Sequence, residues 1–318
     1  MIKALSVSEC AEHILAAKNP TVVMHVRPDG DTVGTGAALI EIFEALGKKA
    51  SYACADPIPE RLAFLLEGKE IARVITDEIF CVDVASVGQL GSLADTLPVP
   101  TLVIDHHETN SPFAPHLTLP DASSAGEVLY SVYSELLSLG ALSPSVRIAE
   151  KIYAAISSDT GCFCFANAGA KTHKIAADLI SLGVDSAKIN HLLHHSKSHA
   201  QILAEGYAAV RMNLSEDGKI ASLTLGTDEV AALGLGISDF DSVVDVLRSL
   251  RGVEIAAVIK EIDAGVYKAS LRSTGVRVCE VAASFGGGGH ALAAGCTIPA
   301  SSIEEAEDEL LSRLSTLF

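Results

Sequence analysis

Three largely apolar runs of strand length each end in acidic or imidazole side chains, and this limits the folds open to the chain more than any other feature. Residues 21–25, 80–84 and 101–104 run into HVRPDGD, VDVAS and DHHET, and they alternate with helical stretches at 34–46, 125–139 and 146–157. Apolar runs without polar alternation belong to strands covered on both faces. The first part of the chain is therefore expected to be an α/β layer, a mainly parallel sheet with helices on both faces. In open sheets of this kind the carboxyl ends of the strands line the ligand crevice, where all three polar clusters fall.

A further helical stretch at 172–182 closes this half at Gly183, and INHLLHHSKSHAQI at 189–202 reads as a helical connector. Strand-like segments follow at 206–214, 219–225, 253–262 and 266–272, with turns at Glu216-Asp217-Gly218 and Asp263-Ala264-Gly265 and helices over 240–250 and 302–317. The expected organisation is a first domain over 1–188, a linker over 189–202 and a smaller α+β domain over 203–318. Against 40 Asp and Glu stand 23 Lys and Arg, and the net charge of −17 repels a long polyanion, which sets aside long duplex nucleic acid as a partner. Aromatic content of 5% without Trp leaves little for base-stacking platforms. Seven cysteines without a CxxC pair fit a reducing compartment. Neither a signal-peptide-like start nor an apolar run of about 18 residues is seen, so a cytoplasmic protein with no membrane role is expected.

His25, Asp29 and Asp31 stand in HVRPDGD. If Asp29 and Asp31 lie in extended backbone, their carboxylates leave the same face beside an imidazole, as two adjacent cations require; a turn with helix-capping aspartates explains the same residues equally well. Asp105, His106 and His107 end the strand TLVI. Adjacent strand residues face opposite sides, so one carboxylate and two imidazoles in succession favour metal chemistry over packing. Asp83, after the apolar IFCV, and Asp159, in ISSDTG, are isolated acids at the edge of apolar segments, costly unless paired or metal-bound. The glycines of GGGGH at 286–290 let backbone N–H groups approach an anion, and Arg272 in SLRS offers a planar fork for phosphate. His191, His195 and His199 are spaced to stack on one helix with His194 nearby, and read as a polar hinge in preference to a metal site. Cys162 and Cys164 read as packing residues.

Taken together, HxxxDxD, a strand-terminal Asp, DHH and a later Asp resemble the DHH phosphoesterase superfamily. SLRS at 270–273, GGGGH and AAG at 293–295 resemble its associated substrate-binding domain. DASSAGE at 121–127 and SSDTGCF at 157–163 make the chain most similar to the bifunctional oligoribonuclease and 3′-phosphoadenosine 5′-phosphate phosphatase (nanoRNase) group. The resemblance implies two Mn²⁺ per chain, with Mg²⁺ or Co²⁺ as substitutes: His25 and Asp29 on one ion, Asp31, His106 and Asp159 on the other, and Asp83 bridging. It implies hydrolysis by a hydroxide held between the ions, His107 facing the phosphate or leaving oxygen, and Asp105 orienting an imidazole. Substrate contacts are implied for Arg272, Ser273, Gly287, Gly288, Gly289 and His290. The implied substrates are short oligoribonucleotides, dinucleotides or a bisphosphonucleotide. A cyclic-dinucleotide phosphodiesterase and a catalytically silent nucleotide sensor are the alternatives, and a homodimer is the default assembly. Two positions depart from the group: Gln89, where relatives often carry Arg, and Asp245, where they tend to carry Asn.

Overall fold

The computed structural model describes residues 2–107 and 110–318, so Glu108 and Thr109 of the DHHET cluster lie outside the described residues. Strands β1 (Thr21–Met24), β3 (Ile79–Val82) and β4 (Leu102–Asp105) are buried along their whole length. With β2 (Ser51–Ala53) and β5 (His116–Thr118) they form a sheet of order β2-β1-β3-β4-β5 in which every pairing is parallel. The pleat sorts their side chains. Val22, Met24, Phe80, Val82, Leu102 and Ile104 enter a core shared with α1 (Val7–Ala16), α2 (Gly30–Ala45), α3 (Ala125–Ser138), α4 (Val146–Asp159) and α5 (Ala170–Ser181). Val23, Ile79, Cys81 and Val103 face a second core, closed by Leu90 and Leu93 of a 3₁₀ helix, Val87–Leu93.

Helix α2 starts at Gly30, four residues before the expected point, because Asp29 Oδ1 accepts from the N–H groups of Asp31 at 3.0 Å and Thr32 at 3.1 Å. It then packs so tightly on α4 that only glycine fits at two of its positions. A Cβ at Gly34 would lie 2.9 Å from the Ala155 nitrogen and the Lys151 oxygen, and one at Gly30 would lie 2.3 Å from Ser158 Oγ. Gly126 of α3 meets Ala155 Cβ in the same way. These small residues draw the far end of α4, which carries Asp159, towards the starts of α2 and α3.

The chain divides into two units between Ser196 and Lys197, inside the stretch expected as a linker. That stretch is not one helix. Helix α6 (Ser186–Asn190) passes into a π-helical turn, His191–His195, the backbone extends at Ser196, and a new helix, α7 (His199–Arg211), begins at a Ser198–Gln201 capping box. His191, His195 and His199 therefore share no helix face, and His194 Nε2 lies 3.0 Å from Ser157 Oγ. The strand expected at 206–214 is also corrected. Residues up to Arg211 belong to α7, whose Ala204 and Ala208, one turn apart, are buried, and only β6 (Asn213–Leu214) is extended.

Unit two holds a six-stranded mixed sheet of order β10-β11-β9-β8-β7-β6, comprising β7 (Ile220–Leu225), β8 (Ile255–Asp263), β9 (Val266–Ser273), β10 (Gly288–His290), β11 (Ala293–Pro299) and β6. Only the β7–β8 pairing is parallel. Helices α10 (Cys279–Ser284) and α11 (Ile303–Ser315) cover one face. The other carries α7, α8 (Thr227–Ala232) and α9 (Val243–Arg248). Among the described residues no helix is long and apolar enough to cross a membrane.

The packing makes opposite predictions for two helical glycines. Gly34→Ala should cost about 1–3 kcal/mol, because backbone atoms of α4 must move. Gly206→Ala, in open space within α7, should add about 0.5–1 kcal/mol. Urea midpoints of the two variants would measure both; a Gly34→Ala midpoint equal to wild type contradicts the tight α2–α4 seam.

Candidate metal centre

His25 follows β1, and its ring is fixed by a hydrogen bond of 2.8 Å between Nδ1 and the carbonyl oxygen of Val26. A carbonyl only accepts, so Nδ1 carries the proton and the Nε2 lone pair faces inward in the neutral ring. Nε2 lies 3.3 Å from Asp83 Oδ2 and 3.7 Å from Asp29 Oδ1. Asp29 caps α2 with the same oxygen, so the capping and the site-facing readings of this residue both hold. Of the two backbone arrangements open to Asp31, the extended one is not taken: the residue occupies the first turn of α2 and is wholly buried.

Asp31 Oδ2 accepts from the Ala125 N–H at 2.7 Å, while Oδ1 accepts from the Gly126 N–H and the Thr35 hydroxyl, each at 3.0 Å. The carboxylate thus sits against the first amides of α3, where the helix dipole favours negative charge. His106 leaves the end of β4 with Nδ1 3.3 Å from the Ala122 carbonyl oxygen, so its Nε2 lone pair also faces carboxylates. They are Asp159 Oδ2 at 3.3 Å, Asp83 Oδ1 at 3.6 Å and Asp31 Oδ2 at 3.7 Å. Asp159 is the last residue of α4, at the end whose free carbonyls disfavour an anion.

Asp83 stands between the two sets. Its backbone is left-handed, with φ of 58°, a conformation that aspartate tolerates better than most residues. Its side chain is 4% exposed, and Oδ1 makes no hydrogen bond although His106 Nε2 and His107 Nδ1 each lie 3.6 Å away. Asp105 Oδ1 accepts from His107 Nδ1 at 2.7 Å. Potential ligand atoms therefore cluster as His25, Asp29 and Asp83, and as Asp31, His106 and Asp159. Sequence reasoning missed Thr35 and Asn167, whose Nδ2 donates to the carbonyl oxygens of Asp159 and Ser123 at 3.1 Å each.

Electrostatics show a space short of positive charge. Burial, together with the Asp83, Asp159 and Asp29 carboxylates, holds Asp31 well above the usual carboxylate range; burial with Asp29 and Asp83 does the same to Asp159. Burial works against a charged His25, yet the carboxylates of Asp29 and Asp83 overcome it and push the imidazole up to about 11. Burial also opposes a charged His107, but Asp105, Asp83 and Asp159 lift it to about 9. Carboxylates crowded around the Nε2 atoms of two imidazoles, with the buried Asp83 Oδ1 and Asp105 Oδ2 lacking a hydrogen-bond donor, fit cations that take oxygen and nitrogen ligands without thiolate.

In unit two, β-sheet register sets Arg272 of β9 opposite Ala293 of β11, and Ala293 opposite His290 of β10, so all three share one sheet face. Burial lowers the Arg272 guanidinium from its usual value, and the Asp245 carboxylate pulls it back. Asp245 is itself paired with Arg248 at 3.0 Å. Ser273 faces the other side, buried, its hydroxyl accepting from the Gly275 and Val276 N–H groups and so holding a turn. The glycine run also differs from the expected open nest. Gly287 and Gly289 are required by close approach to β11, where a Cβ would come within 2.2 Å of the Gly295 oxygen and 2.4 Å of the Ala293 oxygen; at Gly288 a Cβ meets nothing. Gln89, the other departure, turns inward, with Oε1 accepting from the Ala85 N–H at 2.6 Å.

The family model for the DHH family, N-terminal domain, matches residues 20–156, and that for the DHHA1 domain matches residues 233–318. The chain is 30% identical over 311 residues to the Thermus thermophilus protein named bifunctional oligoribonuclease and PAP phosphatase NrnA, covering 95% of this chain and 91% of that one. The chain belongs to the DHH family. It is accordingly a hydrolase of phosphoester bonds. A Bacillus subtilis relative of the same name is 30% identical over 303 residues, 93% of this chain and 94% of the relative. The fold is shared with the crystal structure of an exopolyphosphatase-related protein from Bacteroides fragilis, at a TM-score of 0.87 and 23% identity over 98% of this chain and 96% of that one.

Crowded acids should cost the cation-free protein stability. An acid whose pKa is raised on folding loses stability once the pH exceeds its unfolded value, about 4, so Asp159 is a burden at neutral pH. Asp159→Asn should raise the melting temperature of chelator-treated protein by about 2–4 °C, the shift that about 1 kcal/mol produces in a domain of this size class. A lower melting temperature under those conditions would contradict the repulsion.

Proposed function

We propose that this chain hydrolyses short oligoribonucleotides and 3′-phosphoadenosine 5′-phosphate with two Mn²⁺ at the centre described above. The observation that carries the reading is Asp83, buried between His25 at 3.3 Å and His106 at 3.6 Å, with Oδ1 lacking a hydrogen-bond donor. On this reading His25 and Asp29 hold one ion, Asp31, His106 and Asp159 hold the other, and Asp83 reaches both. Divalent ions supply the Lewis acidity that activates water near neutral pH and offset the charge of the phosphate. Asp105 fixes His107 through Nδ1, so that Nε2 is the ring atom that meets the phosphate or the leaving oxygen. The backbones of β3 and β4 hold these groups in place before substrate arrives, which supports reaction without reorganisation.

The second unit supplies recognition. Arg272 offers paired donors for phosphate oxygens, His290 stands on the same sheet face, and small Ala293 between them leaves room. Gly287 and Gly289 keep β10 close to β11, and the bare Gly288 offers its amide to an anion. The relatives named for oligoribonuclease and PAP phosphatase activity support this substrate class. A net charge of −17 favours a short anion gripped at a few points over a long strand tracked across a surface.

Two variants test the reading in an assay with two- to five-nucleotide RNAs, 3′-phosphoadenosine 5′-phosphate and cyclic di-AMP. Asp83→Asn keeps a residue suited to the left-handed backbone and should abolish turnover of every substrate at saturating Mn²⁺; retained turnover sinks the shared role of Asp83. Gly288→Ala should leave the melting temperature unchanged and raise KM about tenfold, or about 1.4 kcal/mol. Hydrolysis of cyclic di-AMP alone would move the assignment to that substrate.

A further inference from the structure

Two side chains of the Asp31–His106–Asp159 group bond directly to one six-residue segment, Ala122 to Glu127, and the backbone of the third is linked to it through Asn167. The Ala122 carbonyl accepts from His106 Nδ1 at 3.3 Å, and the Ala125 and Gly126 N–H groups donate to Asp31 at 2.7 and 3.0 Å. The Ser123 carbonyl accepts from Asn167 Nδ2, the same group that donates to the Asp159 carbonyl. The other group draws on different supports. His25 uses the Val26 carbonyl, and Asp29 the first amides of its own helix.

Glu127 is what pins the segment. Its side chain is 1% exposed and curls back over the start of α3. Oε2 accepts from the Ser123 N–H at 3.2 Å, the Ser123 hydroxyl at 2.8 Å and the Thr172 hydroxyl at 2.9 Å. Oε1 lies 2.9 Å from Lys171 Nζ. One carboxylate thus closes the Ser123–Glu127 turn and ties it to α5. The sequence S-A-G-E at 124–127 has the form of a capping box, and Ser124 Oγ does accept from the Glu127 N–H at 3.0 Å. The glutamate does not return to the N-cap amide; it goes to Ser123, Thr172 and Lys171. A buried carboxylate is costly unless fully partnered, so simple helix capping, for which an exposed glutamate suffices, does not account for its burial here.

We infer that Glu127 is a positioning residue for one cation of the pair, acting on Asp31, His106 and Asp159 through the Ala122–Glu127 segment and leaving the His25–Asp29 group untouched. The inference rests on the two-cation reading proposed above. Outer-shell partners of metal ligands carry about 10–100-fold in affinity, and here the effect falls on one site only.

Mn²⁺ titration of the full-length protein, read by the electron paramagnetic resonance of free Mn²⁺, tests this without relying on turnover. Wild type should bind two ions. Glu127→Gln should bind one with unchanged affinity and the second at least tenfold more weakly, and activity should return as Mn²⁺ is raised. Adding Asp29→Asn to Glu127→Gln should remove the remaining tight site, whereas adding Asp159→Asn should leave it. Thr172→Val, which deletes one of the three hydrogen bonds to Oε2, should weaken the same site by a smaller factor and serves if Glu127→Gln does not fold. Equal weakening of both sites, or two unchanged sites, overturns the inference while the two-cation reading stands. Wild type that binds no Mn²⁺ overturns both.

Discussion

Mutual repulsion among four aspartates is the constraint around which the first unit is built. Asp29, Asp31, Asp83 and Asp159 meet around the imidazoles of His25 and His106, two of them, Asp31 and Asp83, buried, and no lysine or arginine is paired with any of them among the described residues. Three devices carry them there. Helix N-termini receive Asp29 and Asp31, a left-handed residue turns Asp83 inward at the end of β3, and the glycine seam between α2 and α4 admits Asp159. None of these devices neutralises the site. They oppose its electrostatic cost with hydrogen bonds and apolar burial elsewhere, which is how a fold stores an unfavourable charge arrangement for a ligand to relieve.

The parallel sheet explains why the arrangement is open at all. Every strand of the sheet runs the same way, so His25, Asp83 and Asp105 emerge at one edge as neighbours on β1, β3 and β4. Apolar side chains behind them on both faces leave the strand ends little freedom. Rigid strands place the imidazoles and Asp83, while helix ends place the remaining acids, so no residue of the centre depends on a long loop for its position.

How much of this could be read from the sequence follows from the range of the interactions. His25, Asp83, His106 and His107 were legible because each directly follows an apolar run, a local signal. The roles of Asp29 and Asp31 were only half legible, since their geometry depends on where α2 begins, and that is decided by a cap and by packing on α4. Asn167 and Thr172 gave no chemical signal of their own, and Glu127 stood out only as the end of DASSAGE. Their roles depend on contacts spanning 44 or 45 residues, Asn167 to Ser123 and Thr172 to Glu127, as well as on local ones. The strand expected at 206–214 failed for a related reason: short apolar runs fit either period, and burial of Ala204 and Ala208 decided for helix.

The glycine-rich run shows how a motif can be recognised correctly and explained incorrectly. Four glycines suggest a nest that needs bareness throughout, yet two of them are explained by the carbonyl oxygens of β11, and Gly286 takes a φ of 77° in the turn before β10. Only Gly288 is bare without a structural reason. The same reasoning applies to the two departures from the group. Gln89 is occupied by the Ala85 amide, and Asp245 is paired with Arg248 at 3.0 Å. Arg272 feels both members of that pair, with the Asp245 carboxylate working against the burial that lowers its guanidinium and the Arg248 charge adding to it.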